Sequence, residues 1–401
     1  MAAKLFKRKK QAYFIKGYLF LITLQLKSFA MRAPFILLLL TLVSYIGQSQ
    51  QWLFVGTYTG TGSKGIYVYK FNEANGTAEL VSTVDCENPS YLTPSANGNF
   101  LYSISENGGD NPGSISAFSF NKKTGQLAFI NKQLTGGDHP CYVTVNKKNN
   151  WVAAANYTGG SLSVLRINKD GSLKPAAQII QHFGGSLLES RQKAPHVHMT
   201  AFSPNEKYLV ANDLGTDEVN AYKFNAKKDK PLDTTAVIRI KLDAGSGPRH
   251  LAFHPSKNLV YVLEELTGKV SVRHFTKKNI SLVQTIDSDT TSPLPDKGSA
   301  DIHISADGNF LYTSNRGKAN YITIFSVDVN GELTSLGTQP VMGIQPRNFT
   351  IDITGDFLLV ANQGTDNVVI FKRNKSTGLL TETGKQLTIP KPVCLKMMKA
   401  E

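Results

Sequence analysis

"SADIHISADGNFLYTSNRG", residues 299–317, holds an extended segment, an Asp-Gly pair at 307–308 and a second apolar run. Asp-Gly supplies the backbone conformation a tight turn needs, so the stretch reads as a β-hairpin. Working outward, the same grammar recurs in "NPSYLTPSANGNFLYSISE" (88–106), "HPCYVTVNKKNNWVAAANY" (139–157), "HVHMTAFSPNEKYLVANDL" (196–214), "GPRHLAFHPSKNLVYVLEEL" (247–266) and "QPRNFTIDITGDFLLVANQG" (345–364). A third apolar run follows each copy, as in "GSISAFSFN" (113–121) or "DNVVIFKRN" (366–374), and then a weaker fourth, as in "GELTSLGTQ" (331–339). The opening residues Pro89, Pro140, Pro195, Pro248, Ser299 and Pro346 lie 47 to 55 residues apart. Four strands at a period near 50 residues mark a β-propeller.

Six full units leave a remainder at each end. The start, "WLFVGTYTG", "GIYVYKFN" and "AELVSTV", matches the second, third and fourth strands and lacks the first, which reappears at 389–399 as "IPKPVCLKMMK". The chain is therefore expected to be all-β, a seven-bladed propeller with four antiparallel strands per blade. N- and C-terminal strands share one blade, which closes the ring and removes exposed sheet edges. Of the three cysteines, Cys394 should lie on the innermost strand of that blade and Cys86 near the end of its outermost. Three strand spacings put them about 14 Å apart, too far for a disulfide.

Residues 1–50 carry eight Lys or Arg and no Asp or Glu. They supply 8 of the +14 formal charges, which leaves 36 basic against 30 acidic side chains beyond them. From Met31, "MRAPFILLLLTLVSYIGQSQ" has a short basic start, an apolar run and a polar end, the pattern of a secretory signal with cleavage near Ser49. We read Met31 as the true start, 1–49 as extension plus leader, and 50–401 as one propeller domain that is periplasmic or secreted. The alternative is an uncleaved anchor, although Lys27 and Arg32 interrupt any longer apolar helix. The remaining lysines sit scattered in turns such as "NKKTG", so no nucleic-acid partner is expected.

In a propeller the first strand of each blade lines the channel, and equivalent positions face one another. At the residue after each opening anchor, with the copies at 196–214 and 247–266 aligned by their Ala-Phe pairs, the set is Val393, Ser90, Cys141, His198, Arg249, Ala300 and Arg347. Packing explains the small and apolar members. Arginine in a tunnel calls for an anion, or for a local acid such as Asp213, Asp301 or Glu264, because an unpaired buried guanidinium is costly. The second strands end in another polar ring, read as Glu106, Asn156, Asn212, Glu265, Arg316 and Gln363. There Glu265 and Arg316 occupy matching positions on neighbouring blades, either as an ion pair or as a base beside an anion clamp. His196 and His198 are two apart and could share a face, but without a third ligand at suitable spacing no metal is expected, nor any cofactor. Gly-x-Ser-x-Gly, His-Glu-x-x-His and P-loop motifs are missing from the sequence.

"GPRHLAFHP" with "YVLEEL", "ADIHISADGNFLYTSNRG" and "QPRNFTIDITGDFLLVANQG" resemble the lactonase family of seven-bladed propellers, which includes 6-phosphogluconolactonases and carboxymuconate lactonizing enzymes. The resemblance runs from about Leu53 to the carboxyl-terminal "KPVCLKMM". It implies functional positions at His198, Arg249, Glu265 and Arg316, the same four that the blade comparison isolates. Asp213 in "NDLG" and Arg347 in "QPRNF" also match family motifs, and His196 is taken with them on the substrate side. The expected activity is hydrolysis of a sugar lactone. Arg249, Arg316 and Arg347 would hold an anionic group and the developing oxyanion, and His198 or Glu265 would take the proton of the attacking water. The alternatives are a non-enzymatic surface or periplasmic propeller that binds a glycan or protein, and a muconate-type cycloisomerase.

Overall fold

The computed structural model describes residues 50–400 apart from 61, 277, 278 and 295. The leader read at 1–49 lies outside the described residues. Among these residues seven four-stranded antiparallel sheets account for all 28 strands. Blade I joins Pro392–Lys399 to Gln50–Thr57 and the two strands after it, so the two ends of the chain do complete one blade. Blades II to VII occupy 92–134, 140–181, 197–241, 248–287, 299–340 and 346–388 in simple succession. The first strands of successive blades lie beside one another around the axis.

Burial explains the sequence pattern strand by strand. Second strands such as Trp151–Asn156, Leu259–Glu264 and Phe357–Asn362 are buried at every position, because neighbouring blades cover both of their faces, and they read as unbroken apolar runs. Fourth strands such as Leu380–Thr388 face solvent at most positions and carry only a weak apolar signal. Aromatic rings pack between blades: Phe120 of blade II meets Trp52 and Phe54 of blade I edge-on, at centroid distances of 5.4 and 4.9 Å. The Asp-Gly turn of 307–308 forms as the sequence implies. Gly308 adopts φ +76°, and the Asp307 carboxylate accepts from Asn309 N at 3.0 Å. Cys394 is buried on the innermost strand of blade I, Cys86 follows the outermost, and no disulfide forms among Cys86, Cys141 and Cys394.

The innermost strands share an irregularity that bears on function. In six of the seven blades the ladder to the second strand carries one extra residue near its start, a β-bulge. Pro140 and Tyr142 face Asn156 and Ala155, Val197 and Met199 face Asp213 and Asn212, Pro248 and His250 face Glu264 and Leu263, and Pro346 and Asn348 face Asn362 and Ala361. The residues left over are Cys141, His198, Arg249 and Arg347. In blade I the extra residue is Val393, and in blade VI it falls within Ala300–Asp301. A bulged residue is released from the ladder and its side chain is re-aimed. The register also corrects one anchor. The counterpart of Pro248 in blade IV is Val197, not Pro195, because Pro195 still belongs to the connection that precedes the strand.

Candidate active site

A cavity of about 260 Å³ is lined by Tyr58, Glu106, Cys141, Tyr157, Arg191, His198, Glu265, Arg316 and Arg347. All seven blades contribute to it, in two layers. The lower layer comes from the bulges: Cys141, His198 and Arg347, with Arg249 buried behind Glu265. The upper layer is the residue that follows each second strand. Its backbone N–H is fixed by a carbonyl two residues before the bulge or nearby: Tyr58 N to Lys391 O, Glu106 N to Asn88 O, Tyr157 N to His139 O, Leu214 N to His196 O, Glu265 N to Gly247 O, Arg316 N to Gly298 O and Gln363 N to Gln345 O. Several of these acceptors sit at positive φ, among them Asn88, His139, Gln345 and Lys391. Larger grooves, of about 720 and 710 Å³, run along the outer strands of blade IV, the second of them between blades III and IV. The small cavity is the place where buried charges gather.

Glu265 is the hub of those charges. Its Oε1 lies 2.7 Å from Arg191 Nη2, and its Oε2 lies 3.2 Å from Arg316 Nη2 and 2.8 Å from Arg249 Nε. The last contact is out of line for a hydrogen bond, so charge alone holds it. Burial by itself would raise the Glu265 carboxyl, but Arg316, Arg249 and Arg191 together pull it well below the ordinary carboxylate range. Arg316 also donates from Nε to Gly298 O at 2.9 Å, and burial lowers its pKa to about 10, still cationic at neutral pH. Across the cup, Glu106 accepts from Tyr58 OH at 2.8 Å and from the Ser90 hydroxyl, while Arg347 Nη2 donates to Tyr58 OH at 2.8 Å.

His198 stands between these two groups. Its ring meets Tyr157 and His250 edge-on, at 5.4 and 5.3 Å, and its Nδ1 is 3.7 Å from Cys141 Sγ. Burial first, then Arg249, His250 and Arg347, hold its pKa well below that of a free imidazole, so it is neutral. Burial pushes the Cys141 thiol far up, which keeps it protonated and unsuited to nucleophilic attack. Beneath, His250 Nδ1 pairs with Asp301 Oδ1 at 2.7 Å, His303 Nε2 meets Asp301 Oδ2 at 3.0 Å, and Asn348 ties the same carboxylate to Leu395 N of blade I. The axis under the cup is thus filled by a satisfied polar network.

A model of the family described as lactonase, 7-bladed β-propeller, matches residues 52–397. The chain belongs to that family. It is 38% identical over 350 residues to a 6-phosphogluconolactonase of Formosa agariphila, covering 86% of this chain and 99% of the relative. It is 36% identical to that of Bacillus subtilis, covering 89% and 99%. Among solved structures, the periplasmic gluconolactonase of Pseudomonas aeruginosa shares 34% identity at a TM-score of 0.84, over 88% of this chain and 100% of that one. A putative 6-phosphogluconolactonase of Bacteroides fragilis shares 42% at 0.83, over 88% and 99%.

In this lactonase-family chain His198, Glu265, Arg316 and Arg347 meet in one cavity, and Arg249 backs it. Arg249 and Arg316 find their acid in Glu265, not in Asp213, Asp301 or Glu264, while Arg347 reaches Tyr58 OH across the cup. Asp213 and His196 stand behind the wall. Asp213 is filled by His182 Nδ1 at 2.7 Å and by the N–H groups of His196, Gly215 and Thr216, at 2.8, 3.0 and 3.2 Å. His196 lies flat on Tyr157 at 4.4 Å and donates from Nδ1 to Tyr157 O. Among the described residues no group of three His, Cys, Asp or Glu side chains is arranged to hold a metal.

Sequence reasoning missed Tyr58, Tyr157 and Arg191. The upper ring contains Tyr157 and Leu214, where the sequence reading placed Asn156 and Asn212; those two lie on the strands, one and two residues too early.

Proposed function

We propose that the chain hydrolyses a sugar lactone bearing an anionic substituent, and that the reaction takes place in this cup. The observation that carries the reading is charge. Arg191, Arg249, Arg316 and Arg347 face only two carboxylates there, Glu106 and Glu265, beside a neutral imidazole. The names of its 6-phosphogluconolactonase and gluconolactonase relatives support the same reaction class.

In this mechanism water adds to the ring carbonyl carbon, and the oxygen that becomes negative is met by the guanidinium groups of Arg316 and Arg347. His198 accepts the proton of the water and passes it to the ring oxygen as the C–O bond breaks, which gives the open hydroxy acid. Glu265, the other candidate base, is the weaker one, because a carboxyl held so far down has little affinity for a proton. Its task is to keep three arginines in place.

A chain beginning at residue 50, assayed by acid release on matched phosphorylated and unphosphorylated sugar lactones at neutral pH, is expected to turn lactone over well above the spontaneous rate. No acceleration on any of them would reject the reaction and favour a purely binding propeller. We further propose that the protein is exported, as the 31–50 pattern implies and as the periplasmic relative encourages. Fractionation of a Gram-negative host expressing the full chain should find it in the periplasm with a new amino terminus near residue 50. A cytosolic product retaining residues 31–49 would overturn this.

A further inference from the structure

We propose that Arg191 is the specificity-determining group of the cup, the hook for the anionic substituent remote from the scissile ester. This rests on the lactonase reading above.

Arg191 stands on residues 182–196, which join blades III and IV and form the longest connection between blades among the described residues; the next, 288–298, is shorter by four. Long connections in compact domains are commonly functional. This one is pinned at its ends and in its middle. His182 bonds Asp213 at 2.7 Å and Tyr222 OH at 2.8 Å, and His196 N returns to Asp213 at 2.8 Å. Gln192 Nε2 donates to Asp217 Oδ1 at 2.6 Å, and the Ser186 hydroxyl donates to Asp217 Oδ2. Asp217 also accepts from Gly245 N and Gly247 N at 2.8 and 2.7 Å, just ahead of Arg249. Two buried carboxylates therefore fix this strap against the segment that carries the floor arginine. What the strap presents to the cup is a single turn, Glu189–Gln192, with Arg191 reaching Glu265.

The engagement of Arg191 is partial. Its side chain is 39% exposed, against 2% for Arg249 and 17% for Arg316. Nη2 takes Glu265 at 2.7 Å and Tyr157 OH at 3.4 Å. Among the described residues Nε and Nη1 have no partner, and three of the five N–H groups of a guanidinium lie on those atoms. Arg249 and Arg316 already exceed the single charge of Glu265, so a third guanidinium adds surplus positive charge that an incoming anion offsets. The gradient of exposure sets the orientation: the carbonyl goes down toward His198 and Arg316, and the anionic substituent stays up at the rim, where a planar fork can take two oxygens.

The test uses Arg191→Ala and Arg191→Lys, each checked for an unchanged circular-dichroism spectrum and melting curve. Kinetics are measured on a phosphorylated sugar lactone and its unphosphorylated counterpart, and calorimetric binding on the two aldonate products. In Arg191→Ala the preference for the phosphorylated member of each pair should fall about 10- to 100-fold, through KM and Kd more than through kcat. Arg191→Lys should recover only part, since a point charge lacks the fork. A preference that stays within about twofold of the parent in both assays overturns the assignment. If the parent opens neither lactone and Arg191→Ala still loses the phosphorylated aldonate selectively, the hook stands and the hydrolytic reading falls.

Discussion

Glu265→Gln should destabilise the folded chain by about 3–5 kcal/mol, the usual cost of removing one partner from a buried charge cluster. The Glu265 side chain is 7% exposed and sits among Arg191, Arg249 and Arg316, two of them largely shut off from water. A glutamine of the same shape keeps the packing and removes the charge, which leaves three guanidinium groups that repel one another. Urea unfolding at neutral pH measures the loss, and adding Arg249→Met should recover part of it by removing one unpaired cation. The pH dependence has a definite sign. The folded carboxyl titrates below its ordinary value of 4.5, so as pH falls the unfolded chain takes up this proton first. The stability it contributes is complete above about pH 4.5 and drains away as pH falls through the folded pKa. The substituted chain should lack that part of the acid-side decline. A loss under 1 kcal/mol would mean that the arginines do not depend on Glu265.

His198→Ala should lower kcat for lactone opening by about 10²- to 10⁴-fold, the range for loss of a positioned acid-base group. The fold should survive, because the ring is held mainly by edge contacts with Tyr157 and His250 and by a long approach to Cys141. The pH profile separates this role from a structural one. Around the imidazole lie Arg249, Arg347, the protonated Cys141 thiol and His250, whose own pKa is pushed down to about 4 by burial and Arg249. None of them offers a negative charge that would raise His198. A base works when deprotonated, so a lowered pKa moves the acid limb of kcat/KM to lower pH. The parent rate should stay level from pH 8 down to 6. An acid limb near 6.5, or normal turnover in the alanine chain, would remove His198 from the reaction.

Much of this was legible because a propeller repeats its grammar. Two apolar runs across a polar turn, Asn-Gly at 97–98 and Asp-Gly at 307–308, gave the hairpins, their spacing gave the blades, and the Pro-x-x opening of 392–399 gave the closure. Comparing the residue after each anchor, with the copies of blades IV and V aligned by their Ala-Phe pairs, picked out Cys141, His198, Arg249 and Arg347, the very residues that the bulges release. The upper ring was harder to align. Glu106, Glu265 and Arg316 announce themselves by charge, but in blades III and IV the polar residue at that corner is the last residue of the strand or the one before it, which drew the alignment to Asn156 and Asn212 and hid Tyr157. A count of residues from each anchor would have found it. Tyr58 follows the second strand of a blade split between the chain ends, where no complete unit was available for alignment. Arg191 had no signal of this kind, because the strap that carries it is at least four residues longer than any other connection between blades among the described residues and aligns with none of them.

The bulges have an evolutionary corollary. A residue set outside the ladder takes no part in strand pairing, so exchanging its side chain leaves the scaffold's hydrogen bonding untouched. Each of the six bulged blades thus offers one writable position, and the ring places these positions around a common centre. A descendant could trade imidazole for carboxylate, or guanidinium for hydroxyl, one blade at a time, and acquire new chemistry while inheriting the same architecture.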